Sequence, residues 1–157
     1  MRTVQSFLGR QGCRHQLDRT RRFLARAQDP KQCDVDFQDM IWAVYLNCYH
    51  ILDWVREDPL LTPEQKRALK EKADASELLE MCRDLCNGIK HSVAHKKTTR
   101  HGYIETVISP GSGEPAYLDC IVTAGGEHFS GKKLAAKFVA EWERIMQSEG
   151  VATAPLS

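Results

Sequence analysis

The sequence predicts a mainly α fold: a bundle of four to five helices with a C-terminal antiparallel β-hairpin packed on it and a final helix. Three observations carry this. Apolar residues recur at helical spacing through most of the first ninety positions. After Arg100 the period switches to two, in "GYIETVISPGSGEPAYLDCIVT". A helical period then returns in "KLAAKFVAEWERIMQ". The hairpin is too small to fold alone, so the 157 residues read as one domain over 1–157.

Residues 1–12 contain two glycines and no period, and read as a flexible lead-in. From Arg14 to Gln28, Leu17, Phe23, Leu24 and Ala27 mark the apolar stripe of a very basic helix that Asp29-Pro30 ends. Val35 to Glu57 is the strongest helix: Phe37, Met40, Ile41, Val44, Tyr45, Cys48, Ile51, Leu52 and Val55 share one side, with Asp34 or Asp36 as cap. "LTPEQ" is a compact start signal, with Thr62 as cap, Pro63 in the first turn and Gln65 to bond back, for a helix to about Lys70. A further helix spans Asp74 to Ile89, with Leu78, Leu79, Cys82, Leu85, Cys86 and Ile89 inward. Strands follow at Tyr103–Ser109 and Ala116–Thr123, then the turn "AGGEHFSG" with a short third strand; together they form a β-hairpin insertion over 102–130. The last helix runs from Lys132 to Gln147, and 149–157 reads as a frayed tail.

The net charge of +1 is unevenly spread. Residues 1–32 hold eight basic side chains, Arg14, Arg21 and Arg22 among them, against two acidic ones. That is +6, leaving −5 for the rest of the chain. A basic arm on an acidic body fits an anionic partner, a second copy of the chain, or simply a solvated helix face. No apolar run approaches the ~20 residues that span a bilayer, and no signal peptide is legible, so the expectation is a cytoplasmic protein away from membranes. There its six cysteines stay reduced.

Two polar groups interrupt otherwise apolar helices. In "NCYHILDW", Asn47, His50 and Trp54 lie at i, i+3 and i+7, with Asp53 one step around. These polar groups satisfy one another, or reach Asn87, Lys90 or His91 on the neighbouring helix, or tie helices together structurally. In "CRDLCNGIKHSVAH" an Asn-Gly pair costs helix propensity just before Lys90 and His91. Either it caps the helix, or Gly88 permits a close approach while Asn87 and His91 face a ligand. Residues 83–101 carry five basic side chains against Asp84, a net +4, with His91, His95 and His101 among Arg83, Lys90, Lys96, Lys97 and Arg100. Imidazoles among cations suit phosphate binding and metal-free acid–base cleavage of RNA, in which the ribose 2′-hydroxyl is the nucleophile. A solvated loop after a helix has the same composition.

No metal and no cofactor is expected. Cys82 and Cys86 face a different direction from His91 and His95 on a continuous helix, and no CxxC knuckle occurs. A buried Cys86 or Cys82 is a poor nucleophile. Neither "PGSGEP" nor "SGKK" makes a phosphate-binding loop.

"FQDMIWAVYLNCYHILDWV", "MCRDLCNGIKH", the hairpin and "AEWERIM" together resemble a group of small bacterial and phage helical proteins and, more distantly, the HEPN superfamily. The resemblance implies a helical bundle, a homodimer, and an endoribonuclease that works without metal in a toxin–antitoxin or antiphage setting, with a cognate antitoxin or other partner protein. The family motif is Arg-x(four to six)-His with a polar residue after the Arg. Matching that residue to Asn87 makes His91 the motif His and puts Cys86 where the Arg belongs. Arg83 or Lys90 then supplies the cation; alternatively Lys90 and His95 give the spacing. The implied catalytic set is His91, Asn87, Lys90 and Arg83. The binding residues expected from spacing and charge are Asn47, His50, Asp53, His95, Lys96, Lys97, Arg14, Arg21 and Arg22. Two rivals stand beside it: a non-catalytic adaptor working through the basic first helix, and a ligand sensor with a pocket between Asn47/His50 and Asn87/His91.

Overall fold

A computed structural model describes residues 12–29, 34–91, 102–109, 117–124 and 126–156. Among them are five helices: α1 (Cys13–Ala27), α2 (Asp34–Glu57), α3 (Pro63–Asp74), α4 (Glu77–His91) and α5 (Gly131–Ser148). Three strands, β1 (Gly102–Ser109), β2 (Tyr117–Ala124) and β3 (Glu127–Ser130), form one sheet in the order β1-β2-β3. The fold class is as the sequence predicts: a helical bundle, an antiparallel hairpin and a final helix. The lead-in proposed for 1–12 lies outside the described residues except for Gly12, which flanks α1.

α2 and α5 are the centre of the molecule. Phe37, Ile41, Val44, Tyr45, Cys48, Ile51 and Val55 of α2 are buried, as are Leu134, Phe138, Trp142, Ile145 and Met146 of α5. Each helix therefore turns one apolar stripe inward. Two side chains convert this packing into a fixed crossing. Trp142 Nε1 donates to the Cys48 carbonyl (2.9 Å), and Tyr45 Oη donates to the Gly131 carbonyl (3.1 Å). Both bonds satisfy polar tips of large buried rings. Tyr45 also meets Phe138 edge-on at 5.1 Å and Trp42 at 6.0 Å.

α1 packs on α2 and is capped from beyond it. The Cys13 N–H donates to Asp58 Oδ2 (2.8 Å), and Leu60 N donates to Asp58 Oδ1 (2.9 Å). Asp58 thus closes α2 and satisfies the start of α1 at once. The carboxylate lies so near the Gly12 α-carbon that a β-carbon there would sit 2.1 Å from Oδ2. α3 starts with the expected capping box: Gln65 N donates to Thr62 Oγ1 (3.2 Å) and Thr62 N to Gln65 Oε1 (3.1 Å). It runs on to Asp74 rather than stopping near Lys70, and α4 starts later than Asp74, at Glu77, because Ser76 caps it. α2 begins at Asp34, so Asp34 and Asp36 both lie inside its first turn, where carboxylates favour the helix dipole.

In the sheet, Gly102 pairs with Ala124 and Ser109 with Tyr117, while Ile121 pairs with Ser130 and Ala124 with Glu127. Cys120, Val122 and Ala124 alternate inward and are buried. Gly126, at φ 82°, makes the tight turn into β3. Asp119 joins the sheet to α5: it accepts from Lys132 N (3.1 Å) and from the Ser130 hydroxyl.

The tail after α5 is not frayed through residues 151–156. Gly150, at φ 70°, reverses the chain, and Val151 N donates to the Met146 carbonyl (3.0 Å) in a Schellman-type closure. This lays Val151 and Thr153 down as buried residues. Gln147 Nε2 bonds Thr153 Oγ1 (2.7 Å), Leu156 N bonds Asp18 Oδ2 (2.8 Å), and Arg14 Nη2 bonds the Ala154 carbonyl (3.2 Å).

Candidate functional site

α4 passes through Asn87-Gly88 without a break and ends at His91. A cap at Asn-Gly is therefore excluded. Arg83, Asn87, Lys90 and His91 stand at i, i+4, i+7 and i+8, so one helix stripe carries all four positions. Arg83 is exposed and Asn87 half-buried, while Cys82, Leu85 and Cys86 on the other side are buried. Arg83 is also engaged locally, with Glu80 Oε1 at 3.3 Å and Asp84 Oδ1 at 3.7 Å. The side chains of Lys90 and His91, and all of His95, Lys96 and Lys97, lie outside the described residues.

The groups proposed on α2 do not join this stripe. Asn47 Nδ2 donates to the Ala43 carbonyl (2.7 Å), and its Oδ1 accepts from Gln16 Nε2 (2.9 Å) of α1. His50 Nδ1 meets Asp53 Oδ2 at 3.0 Å on the open surface, and Arg56 Nη1 lies 3.3 Å from Asp53 Oδ1. Beside the contact of α2 with α4 is a cleft of about 60 Å³ with an apolar wall of Cys48, Tyr49, Leu52, Leu79, Cys82 and Trp142 and with Asp74, Glu80 and Arg83 also in its lining. Asn47 thus has partners on α1 and on its own helix, and the His91 side of the pocket expected between Asn47/His50 and Asn87/His91 lies outside the described residues.

The basic first helix divides into two unlike faces. Arg21 belongs to the interior side: its guanidinium spans Asp18 (2.9 Å) and Glu143 of α5 (2.7 Å). Arg14 reaches the tail. Both therefore have partners within the chain, where the sequence alone suggests free cations. Arg22 is exposed. Two neighbours that the sequence reading did not single out complete the outer face. Arg19 Cζ lies 5.4 Å from the centroid of the half-buried Trp54 ring, and Arg26 Cζ lies 5.7 Å from that of Phe23. The signal was present in the spacing of His15, Arg19, Arg22 and Arg26, at i, i+4, i+7 and i+11.

The five described cysteines are all buried. Burial pushes the thiols of Cys48 and Cys82 well above the ordinary range, so neither is a nucleophile. Burial, reinforced by Asp58, raises Cys13 to about 12. No group of three or more His, Cys, Asp or Glu among the described residues is placed to hold a metal ion. Nor is any described helix long and apolar enough to cross a membrane. In comparisons with family models, curated proteins and solved structures, nothing matches this chain.

Proposed function

We propose that the chain is a HEPN-like, RNA-directed protein, and that the α4 stripe is its catalytic element. The observation that supports this is the uninterrupted passage of α4 through Asn87-Gly88. An Asn-Gly pair inside a helix costs on the order of 1 kcal/mol and stops nothing here, so it serves something other than chain termination. In this reading the neutral imidazole of His91 takes the proton of a ribose 2′-hydroxyl as that oxygen attacks the adjacent phosphorus. The bond to the 5′-oxygen breaks, that oxygen takes a proton from water, and a 2′,3′-cyclic phosphate is left while the His91 imidazolium returns its proton to the hydroxide so formed. Asn87 orients the phosphate, and Lys90 and Arg83 hold its charge. A homodimer pairing two α4 helices, a cytoplasmic setting and a toxin or antiphage role complete the proposal. The test is incubation of purified protein with RNA in EDTA. Cleavage to cyclic-phosphate ends, abolished by His91→Ala in a variant with unchanged thermal unfolding, supports it; intact RNA sinks it.

A second reading has its own observation. Cys86 occupies the motif's Arg position and is 1% exposed, so no cation stands there, and Lys and Arg are not equivalent on a phosphate. A non-catalytic binding module that engages its partner through α1 fits that fact. RNA affinity without cleavage favours it.

A further inference from the structure

The outer face of α1 has features that a merely solvated basic helix does not need. His15, Arg19, Arg22 and Arg26 fall in one line along the helix, spanning roughly 16 Å at ~1.5 Å per residue. Arg19 is held in place from two sides. Trp54 lies beneath its guanidinium, and Arg19 Nη1 donates to Gln16 Oε1 at 3.2 Å. Gln16 is itself fixed, because its Nε2 donates to Asn47 Oδ1 (2.9 Å) and to the Asn47 carbonyl (3.1 Å). A chain of bonds from α2 therefore positions a surface arginine, at the cost of its rotamer freedom. Arg26 repeats the arrangement over Phe23. His15 Nδ1 accepts from Gly12 N (3.3 Å), leaving Nε2 as its remaining polar atom. Two acidic groups near this line are engaged with other partners, Asp18 with Arg21 and the tail and Asp53, beside Trp54, with His50 and Arg56, while Asp29 stands three positions beyond Arg26.

We propose that this line of residues is a docking track for single-stranded RNA, with bases stacking on the guanidinium planes of Arg19 and Arg26 and phosphates meeting the N–H edges of these two, Arg22 and His15. The identity of the polyanion rests on the RNA-directed reading above; the location does not. A guanidinium backed by an aromatic ring offers its other face to a base and its N–H edge to a phosphate. An acidic peptide would use the charge but leave the stacking unused. Duplex nucleic acid hides its base faces. At the stacked spacing of roughly 3.4 Å per nucleotide, the track accommodates about five nucleotides.

The test is fluorescence anisotropy of a labelled oligouridylate about 12 nucleotides long, titrated with the full chain over a range of salt. Substituting Arg19, Arg22 and Arg26 together by alanine should weaken binding by tenfold or more. It should also reduce the slope of log affinity against log salt by about 2, since each single-strand phosphate contact contributes roughly 0.7. Trp54→Leu should weaken binding about tenfold with the slope unchanged, the signature of lost stacking. Arg22→Ala, fully on the surface, keeps the test available should the triple variant fail to fold. The control is Arg67→Ala with Lys137→Ala, two exposed cations on α3 and α5, which should leave affinity within about twofold. Equal losses in track and control variants overturn the proposal, as does equal affinity for the same length of duplex or displacement by poly-glutamate at matched charge. Weak binding by track variants alongside normal binding by His91→Ala supports the track even if no RNA is cleaved. Cleavage that needs His91, with binding unaffected by the track variants, overturns the track and leaves the α4 reading standing.

Discussion

At single residues, the fold depends on several places where one group fits only because its neighbour is what it is. Gly131 is one. A β-carbon there would lie 1.9 Å from Cys120 Sγ, and the Gly131 carbonyl already accepts from Tyr45. Gly131→Ala should therefore destabilise the protein by about 1–3 kcal/mol despite alanine's better helix propensity. Urea unfolding of the double variant with Cys120→Ala should recover part of that loss, a coupling that distant sites do not show. Glu141 is another. Two bonds from Arg144, each 2.8 Å, hold its carboxyl below the ordinary value of 4.5, with a third bond from the Ser76 hydroxyl assisting. A carboxyl lowered in the folded state stabilises above its unfolded pKa and loses that contribution as pH falls through the lowered value. Glu141→Gln should thus unfold at lower urea than the parent at pH 7, and the gap should close as the pH drops below 4.5. A gap that stays constant to pH 3 would contradict the assignment.

At the level of elements, α4 is the helix whose sequence and structure are most at odds. Glycine in a helix interior is less favourable than alanine by roughly 0.5–1 kcal/mol, yet α4 continues past Gly88. Gly88→Ala should stabilise the protein by an amount in that range, seen as a raised urea midpoint. If the glycine serves the proposed RNA site, the same variant should lose RNA affinity or cleavage while gaining stability. Gains in both would mean that the glycine is dispensable. The helices were legible because their apolar periods are long and their caps local: Thr62, Pro63 and Gln65 specify the start of α3 within four residues. The partition of charge on α1 was not legible. Arg21 is neutralised by Glu143, 122 positions away, and no local pattern reveals which arginine will meet it. Asn47 was recognised as needing a partner, but the partner, Gln16, depends on how α1 lies across α2.

Over the whole molecule, the two ends of the described chain are joined to each other. α1 is held at its start by Asp58 and along its length by α5 and the tail, through Arg21–Glu143, Asp18–Leu156 and Arg14–Ala154. Truncation after Gly150 removes the buried Val151, the Gln147–Thr153 bond and both tail contacts to α1. Burial of a valine is worth roughly 2 kcal/mol and a net hydrogen bond about 1, less where exposed as at Arg14, so a loss of about 3–5 kcal/mol is expected in denaturant unfolding. Loss below 0.5 kcal/mol would show that the tail does not hold the helices. The sequence of the tail, with its small and apolar residues, gave no periodic signal; the reversal at Gly150 is what brings it back to the core.

The enclosed sulfur atoms have one more consequence. Cys13, Cys48, Cys82, Cys86 and Cys120 are drawn from both ends and the middle of the fold, and each is sealed from solvent. An electrophile added to the folded chain would have to wait for these segments to open. With Cys33 exchanged for serine, the order in which the five become alkylated would record, without any introduced label, which part of the architecture breathes first.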